Sequence, residues 1–224
     1  MADVEKIIEL VGFPGSGKTY MLSSLELNNF KVVTADNFYH HSKLMPRVRK
    51  NIDTIKYLIC NFPLVFSLFK YALMCCRPIG YSLKRALEIV RYCVIYDYVT
   101  ALVYKGEKII LDQGILQYLW SLSFRNDKRG IKDSRFFKAL IKKLCEKYDV
   151  IYVYYKVDYN LAAKRASVRN SDCPIDKMPR KEITRLYKAH KEDYVLLMKY
   201  LLEGKGYIVE SYEELERIIS NKEL

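Results

Sequence analysis

Short runs of apolar and β-branched residues alternate along the chain with longer stretches whose apolar residues recur every three or four positions. The run at 6–11 ends at a glycine, and a stretch with helical spacing follows at 18–29. Short apolar runs are typical of strands in a parallel sheet with both faces covered, whereas the longer spacing is typical of helices. Further strands are predicted at 31–35, 108–111, 150–155 and 207–209, and a last helix at about 212–220.

This alternation predicts an α/β fold with three layers, in which helices cover both faces of a parallel five-stranded sheet. The 224 residues show neither an internal repeat nor a low-complexity linker. A chain of this length can form one α/β domain that carries an insertion. We therefore predict a single domain over 1–224.

Residues 42–105 form a long helical segment between the second and third predicted strands. Within it, the apolar stretch at 57–76 has the length of a membrane span, about 20 residues. Asn61, Pro63 and Lys70 interrupt it, and a Lys at the centre of a span costs roughly 2.5–3.5 kcal/mol on insertion scales. A pair of buried helices broken at Pro63 is favoured over a true span. An apolar surface that meets a membrane, a lipidic acceptor or a second subunit is the remaining alternative.

Charge and composition narrow the function classes. The chain has 38 Lys and Arg against 26 Asp and Glu, a formal charge of +12, which favours anionic partners. The basic residues are spread along the chain without an aromatic-basic recognition string, so nucleic acid is not the expected partner. The six cysteines lack the spacing of a zinc site. The charged N-terminal residues lead directly into a strand and do not resemble a secretory signal, so we expect a cytoplasmic protein.

The loop after the first strand carries the clearest chemical signal. Residues 12–19 match G-x-x-x-x-G-K-[ST] in full, between a predicted strand and a predicted helix. In such a loop the glycines let backbone N–H groups surround a β-phosphate, and the helix dipole acts on the same place. Lys18 is expected to reach the β- and γ-phosphates, and Thr19 to ligate Mg²⁺. The predicted residues for binding ATP with Mg²⁺ are Gly12, Phe13, Pro14, Gly15, Ser16, Gly17, Lys18, Thr19 and Tyr20.

The second strand is followed by the string Asp36-Asn37-Phe38-Tyr39. Here the sequence resembles P-loop kinases of the uridine-kinase and nicotinamide-riboside-kinase kind, which carry D-x-F-Y at this point. The resemblance implies that Asp36 faces the acceptor hydroxyl, where it could take the proton. Holding a Mg²⁺-bound water is a competing role, and capping the helix that begins near Phe38 is the structural alternative.

The third strand ends in Asp112-Gln113-Gly114. An acidic residue here is expected to be the second element on the metal side and to hold Mg²⁺ through water, or else to cap a helix. The string is similar to the strand ends of thymidylate- and uridine-kinase relatives, but Gln113 stands where the former have Arg and the latter Glu. This departure leaves two points open: the identity of the acceptor, and which of Asp36 and Asp112 is the base.

After the fourth strand, Val157-Asp158 leads to a helix with R-x-x-x-R at Arg165 and Arg169. This is similar to the start of the lid in nucleoside and nucleotide kinases, and it predicts a lid at 165–185. Residues at i and i+4 share one helix face, so both arginines can point at a triphosphate. A solvated basic helix is the alternative, and Arg180 and Arg185 are weaker candidates for the same role.

Together these motifs predict a phosphotransferase with Lys18, Asp36, Asp112, Arg165 and Arg169 as catalytic residues. The expected reaction moves the γ-phosphoryl group of ATP to a hydroxyl of a nucleoside, nucleotide or sugar-like acceptor. The alternative is a nucleotide-dependent ATPase or switch that acts on a protein or membrane partner through its helical insertion. The resemblance covers 5–41 and 106–170 only, so 42–105 is predicted to form the acceptor side, with membrane contact through 57–76 or a homodimer contact left open.

Overall fold

The computed structural model describes residues 7–26, 30–34, 46–75, 79–123, 135–169, 175–201 and 205–220. Five strands form one sheet in the order β2-β3-β1-β4-β5, and every neighbouring pair is parallel. The predicted parallel five-stranded sheet is therefore confirmed. The strands are β1 Ile7–Val11, β2 Lys31–Val33, β3 Ile109–Leu111, β4 Val150–Tyr155 and β5 Gly206–Val209.

Helices cover both faces of the sheet because side chains alternate along each strand. Ile8 and Leu10 of β1 join a small core with helices α1 (Lys18–Glu26) and α10 (Tyr212–Ser220). Ile7 and Val11 point to the other face, where the larger core lies. This is the predicted three-layer α/β/α arrangement. The helices in the larger layer include α4 Ile79–Val103, α5 Ile115–Ser123, α6 Arg135–Lys147, α7 Tyr159–Val168, α8 Arg180–His190 and α9 Asp193–Leu196, which continues as a π-helical turn, Leu197–Leu201.

The segment at 42–105 contains, before α4, the helices α2 (Pro46–Cys60) and α3 (Phe62–Cys75). The break between them lies at Asn61 rather than at the predicted Pro63. Proline lacks an N–H group, and the first turn of a helix is where that group is not needed, so Pro63 sits just inside α3. The two helix axes meet at 106°.

Burial differs between the two sides of this helix pair. Tyr57 of α2 and Leu68 and Tyr71 of α3 are buried against the rest of the protein. Ile59 and Phe62, in contrast, are exposed. The prediction of a buried pair therefore holds for the inner faces only.

Hydropathy and length leave one candidate for a membrane segment in the described part of the chain. No single helix there meets both criteria for crossing a bilayer, whereas the bent pair of Val48–Cys60 and Phe62–Met74 meets them when taken together.

Candidate nucleotide-binding and phosphoryl-transfer site

The glycine loop at 12–19 follows β1 at the carboxyl edge of the sheet, where ligands collect in open α/β folds. Gly15 and Gly17 have φ angles of 80° and 100°, in the left-handed region that other residues rarely adopt. These two glycines let the chain reverse direction before α1 begins at Lys18. Met21 N of α1 then donates to Gly17 O at 3.2 Å. The loop thus has the strand-loop-helix context that the motif requires.

Lys18 lies inside the loop rather than in solvent. Its Nζ donates to the carbonyl oxygens of Gly12 at 2.8 Å and Phe13 at 3.3 Å. Burial lowers the pKa of Lys18 to about 8; the charge of Asp112 acts in the opposite direction, and that of Arg169 adds to the lowering. Burial thus disfavours the charged ammonium form of Lys18, and an anion bound at the loop would stabilise that form.

Asp112 follows β3, the strand beside β1, so its carboxylate lies close to the loop. Burial raises its pKa, while the charges of Lys18 and Arg169 lower it. Asp112 and Thr19 line the same cleft.

The oxygen donors at this edge fit Mg²⁺. The Thr19 hydroxyl and the Asp112 carboxylate are hard ligands, and Mg²⁺ in nucleotide sites commonly takes one or two protein oxygens together with phosphates and water. Beside them, the buried Ser16 Oγ has no hydrogen-bond partner among the described residues. A phosphate oxygen held in the loop would satisfy this hydroxyl.

Helix α7 packs directly on the loop, which explains how Arg165 reaches it. A Cβ at Gly15 would lie 2.8 Å from the backbone nitrogen of Ala166 and would collide with the carbonyl oxygen of Ala162. Across this contact, Arg165 Nη1 donates to Ser16 O at 3.3 Å. Asp158 begins the helix as its N-cap, since its carboxylate accepts from the N–H groups of the residues two and three positions later.

Arg169, the second arginine of the pair, is positioned by an ion pair with Asp176. Arg169 lines the cleft, and its Nε donates to Asp176 Oδ2 at 2.6 Å. The Asp176 side chain is only 1% exposed, so this ion pair ties the end of α7 to the turn before α8. The weaker candidates Arg180 and Arg185 lie on α8, are exposed, and are not among the residues that line the cleft.

Two of the predicted nucleotide-binding residues, Phe13 and Tyr20, are not among the residues that line the cleft. Tyr20, on α1, is 82% exposed. Phe13 is buried, stacks on Tyr187 with ring centroids 4.4 Å apart, and meets Trp120 edge to face at 5.4 Å. The Tyr187 hydroxyl also donates to Pro14 O at 3.0 Å. Tyr187 of α8 therefore holds Phe13 and Pro14, which occupy variable positions of the loop motif.

A buried polar chain beneath the loop was not anticipated from the sequence. Gly12 N donates to Gln117 Oε1 at 2.8 Å, and the Tyr194 hydroxyl donates to the same oxygen at 3.0 Å. The backbone N–H of Gln117 donates in turn to Glu9 Oε1 at 2.9 Å. The available signal was Glu9 itself, a single carboxylate in the otherwise apolar run 7–11.

Glu9 caps α5 from the centre of the sheet. Its side chain is fully buried and accepts from Leu116 N, Gln117 N and the Tyr96 hydroxyl. Burial raises the pKa of Glu9 to about 7, against the lowering effect of the Tyr96 and backbone hydrogen bonds. Gly114 is required beside it, because a Cβ there would collide with the Glu9 carboxylate and the Tyr96 hydroxyl.

The cleft extends from the loop to the α4–α5 side. It has a volume of about 760 Å³, within the usual range for small-molecule sites. Besides the loop, its lining includes Tyr92 and Tyr118, whose ring centroids are 5.2 Å apart, and Gln113 and Ser121. Behind them, Arg85 Nη1 donates to Glu88 Oε2 at 2.6 Å and to the Tyr118 hydroxyl at 2.9 Å. Asp36, one of the two predicted candidates for the base, lies outside the described residues.

The strand order and the loop together define the fold of the P-loop nucleoside triphosphatases. No protein-family model and no curated protein matches the sequence. Among solved structures, deoxyadenosine kinase from M. mycoides with bound dATP is similar to this chain, with 13% sequence identity and a TM-score of 0.49. The similarity covers 98% of this chain and 100% of that one. The fold assignment itself rests on the sheet and the loop.

Proposed function

We propose that the protein is a P-loop kinase that transfers the γ-phosphoryl group of ATP to a hydroxyl of a small acceptor. The observation that carries the proposal is the single cleft of about 760 Å³. It is lined both by the phosphate-binding loop with Lys18 and by the aromatic side chains Tyr92 and Tyr118. A cleft with both kinds of lining can hold a triphosphate and an acceptor side by side, as in-line transfer requires.

At the phosphate end, the loop N–H groups and Lys18 bind the β- and γ-phosphates. Arg165, already in contact with the loop at Ser16 O, and Arg169, on the cleft wall, neutralise charge on the transferred group. Thr19 and Asp112 would hold Mg²⁺, which neutralises charge on the β- and γ-phosphate oxygens when it is bound. Binding and charge stabilisation therefore supply most of the rate enhancement.

In the proposed reaction an acceptor oxygen attacks the γ-phosphorus as the bond from phosphorus to the β–γ bridging oxygen breaks. ADP leaves with that electron pair, and the acceptor proton passes to a carboxylate. Asp112 is one candidate, because burial raises its pKa and makes it a better proton acceptor than an exposed Asp. Asp36 is the other, from its place in the D-x-F-Y string.

The lining around Tyr92 and Tyr118 favours an acceptor with a flat or ring-shaped body. Two tyrosine rings supply apolar contact area, and Gln113 and Ser121 supply hydrogen-bonding groups. A nucleoside, a nucleotide or a sugar-like compound meets this description.

A transfer assay tests the proposal. Purified protein, labelled ATP and Mg²⁺ are incubated with a panel of nucleosides, nucleotides and sugars, and labelled product is scored above background hydrolysis. We expect acceptor-dependent transfer that Lys18→Ala abolishes. Asp36→Asn and Asp112→Asn are compared directly, and loss of the base is expected to lower the rate by about 10²–10⁴-fold. Asp149→Asn is the matched control, since Asp149 is exposed and lies just before β4, at the opposite edge of the sheet.

The same assay addresses the alternative function. Hydrolysis without acceptor dependence across the whole panel would contradict the kinase proposal. That outcome would instead favour a nucleotide-dependent ATPase or switch.

A further inference from the structure

The outer faces of α2 and α3 form an exposed apolar surface, here called the α2–α3 outer face. Three of its side chains are among the most exposed apolar groups of the described residues: Ile59 at 74%, Phe62 at 66% and Phe66 at 62%. The full set is Val48, Ile52, Ile55 and Ile59 on α2, and Phe62, Phe66, Leu73 and Met74 on α3. Scattered exposed apolar residues are ordinary, but a contiguous patch marks an interaction surface.

Helix periodicity makes this face continuous. The α2 members are spaced by four, three and four positions, so they form one stripe along the helix. Phe62 and Phe66 begin a second stripe one turn apart, with ring centroids at 6.4 Å. Asn61 alone separates the two helices, so the α3 stripe begins at Phe62, three positions after the α2 stripe ends at Ile59.

The bend between the helices is held by side-chain contacts from the inner side. Lys147 Nζ, at the end of α6, donates to Asn61 Oδ1 at 2.7 Å and to the Tyr57 hydroxyl at 3.0 Å. Tyr57 also shares a hydrogen bond of 2.9 Å with the Tyr148 hydroxyl. The angle between the two helices is therefore set by the protein itself and need not form on binding.

The charged residues around the α2–α3 outer face determine which kind of partner it can bind. Residues 46–75 contain five Lys and Arg and one acidic residue, Asp53. That acid pairs with Arg49 at 3.5 Å, while Lys56 and Lys70 are exposed beside the apolar stripes. An apolar surface bordered by cations matches a surface with negative charge outside and hydrocarbon beneath. A second copy of the chain would bring two like-charged faces together.

We propose that the α2–α3 outer face docks on the surface of an anionic phospholipid bilayer. The two helices lie in the plane of the interface, with Ile59, Phe62 and Phe66 at the boundary between head groups and acyl chains. Lys56 and Lys70 contact the lipid phosphates. This docking is independent of the reaction proposed above, because none of the described side chains of these two helices lines the cleft.

Vesicle flotation of the full-length protein tests the docking. Phosphatidylcholine vesicles with and without phosphatidylserine are compared, and we expect binding to the anionic vesicles only. Phe62→Ser with Phe66→Ser is expected to weaken this binding by at least about tenfold, because burial of a Phe side chain is worth that much or more. Lys56→Gln and Lys70→Gln are each expected to weaken it by about fivefold.

Matched controls lie at the turn after α4. Tyr104 is 76% exposed, and Lys105 is its exposed neighbour, so Tyr104→Ser removes an exposed aromatic ring, and Lys105→Gln an exposed charge, outside the proposed face. Both control variants should bind as the wild type does. In addition, Phe62→Trp should keep vesicle binding and show a blue shift of its fluorescence, whereas Tyr104→Trp should show none.

Three results would overturn the proposal. The first is failure of the wild-type chain to float with anionic vesicles. The second is equal flotation of the wild type and the Phe62/Phe66 variant, which would show that charge alone holds the protein. The third is a dimer in light scattering that the Phe62/Phe66 variant converts to a monomer while vesicle binding is absent, because the face would then be a contact between two copies.

Discussion

The side-chain oxygen of Gln117 accepts a hydrogen bond of 2.8 Å from the backbone N–H of Gly12, the first residue of the phosphate-binding loop. The same oxygen accepts from the Tyr194 hydroxyl, and the Gln117 N–H donates to Glu9. One residue of α5 thus links the loop to the centre of β1 and to α9. Because the Gly12 N–H bonds to Gln117, the loop is held in shape from beneath as well as by its glycines.

Gln117→Ala is therefore expected to destabilise the protein and to weaken triphosphate binding. The buried Gly12 N–H loses its acceptor, which costs about 1–3 kcal/mol. Urea unfolding measures the stability, and calorimetry measures the affinity for ATP. Gln113→Ala is the control for stability, since Gln113 is exposed on the same segment and should leave the unfolding curve unchanged. Equal stability of the two variants would contradict the structural role of Gln117.

Because Glu9 is buried, the stability of the folded protein should fall as the pH rises. Burial raises its pKa from 4.5 to about 7, so the folded state holds the proton more tightly than the unfolded state does. The favourable contribution is complete below about pH 4.5 and is lost as the pH rises through 7. We expect the free energy of unfolding to fall by about 3 kcal/mol over this window relative to Glu9→Gln, which cannot ionise. Urea unfolding of both proteins between pH 5 and 8 checks this, and parallel pH profiles would refute it.

Nucleotide affinity should depend on pH through Lys18. Its pKa of about 8 means that the free protein carries the charged ammonium below that pH and loses it above. A bound triphosphate favours the charged form, so binding should take up a proton increasingly above pH 8, and the affinity should fall there. Calorimetry in buffers of different ionisation enthalpy measures the proton uptake. Lys18→Arg should show none, since an arginine stays protonated throughout.

Gly15→Ala should break the contact between the loop and α7. Gly15 has a φ of 80°, and an added Cβ would meet the backbone of Ala162 and Ala166. The helix must then move away, and Arg165 with it, so we expect lower stability and weaker ATP binding.

Gly106→Ala separates this packing effect from backbone strain. Gly106 has a similar φ of 84°, but an added Cβ there would meet nothing within 4 Å. Through backbone strain, Gly106→Ala should lower the free energy of unfolding by only about 1–2 kcal/mol, and it should leave the affinity for ATP unchanged. If both variants bound ATP equally well, the proposed role of the α7 contact would be wrong.

The elements that the sequence predicted well are those set by local chemistry. The run at 150–155 is a strand at those residues, and the helix at 212–220 has the expected bounds. The phosphate-binding loop was recognised because its glycine spacing is a requirement of the backbone and because the Lys-Thr pair of the motif follows directly. The break at Asn61 was displaced by two residues, because Pro63 is tolerated inside the first helical turn.

Other features could not be read from local pattern. Phe13 occupies a variable position of the loop motif, and its aromatic neighbours Trp120, Tyr187 and Tyr194 come from α5, α8 and α9. Glu9 was visible as a charge within an apolar strand, but its partners lie about 90–110 residues away. Spacing along the chain carries no information about such contacts, since crossovers between parallel strands set them.

The sequence by itself determined the class of fold and the loop that can hold a triphosphate, because strand periodicity and glycine stereochemistry act over a few residues. Only the tertiary structure decided that Asp112, Arg165 and Arg169 reach the cleft beside Lys18, and that Gln117 holds Gly12 from beneath. It also decided which side of α2 and α3 is buried and which is exposed. The physical reason is the same in each case: sheet order and helix packing bring together residues whose separation in the chain is too long for any local pattern to report.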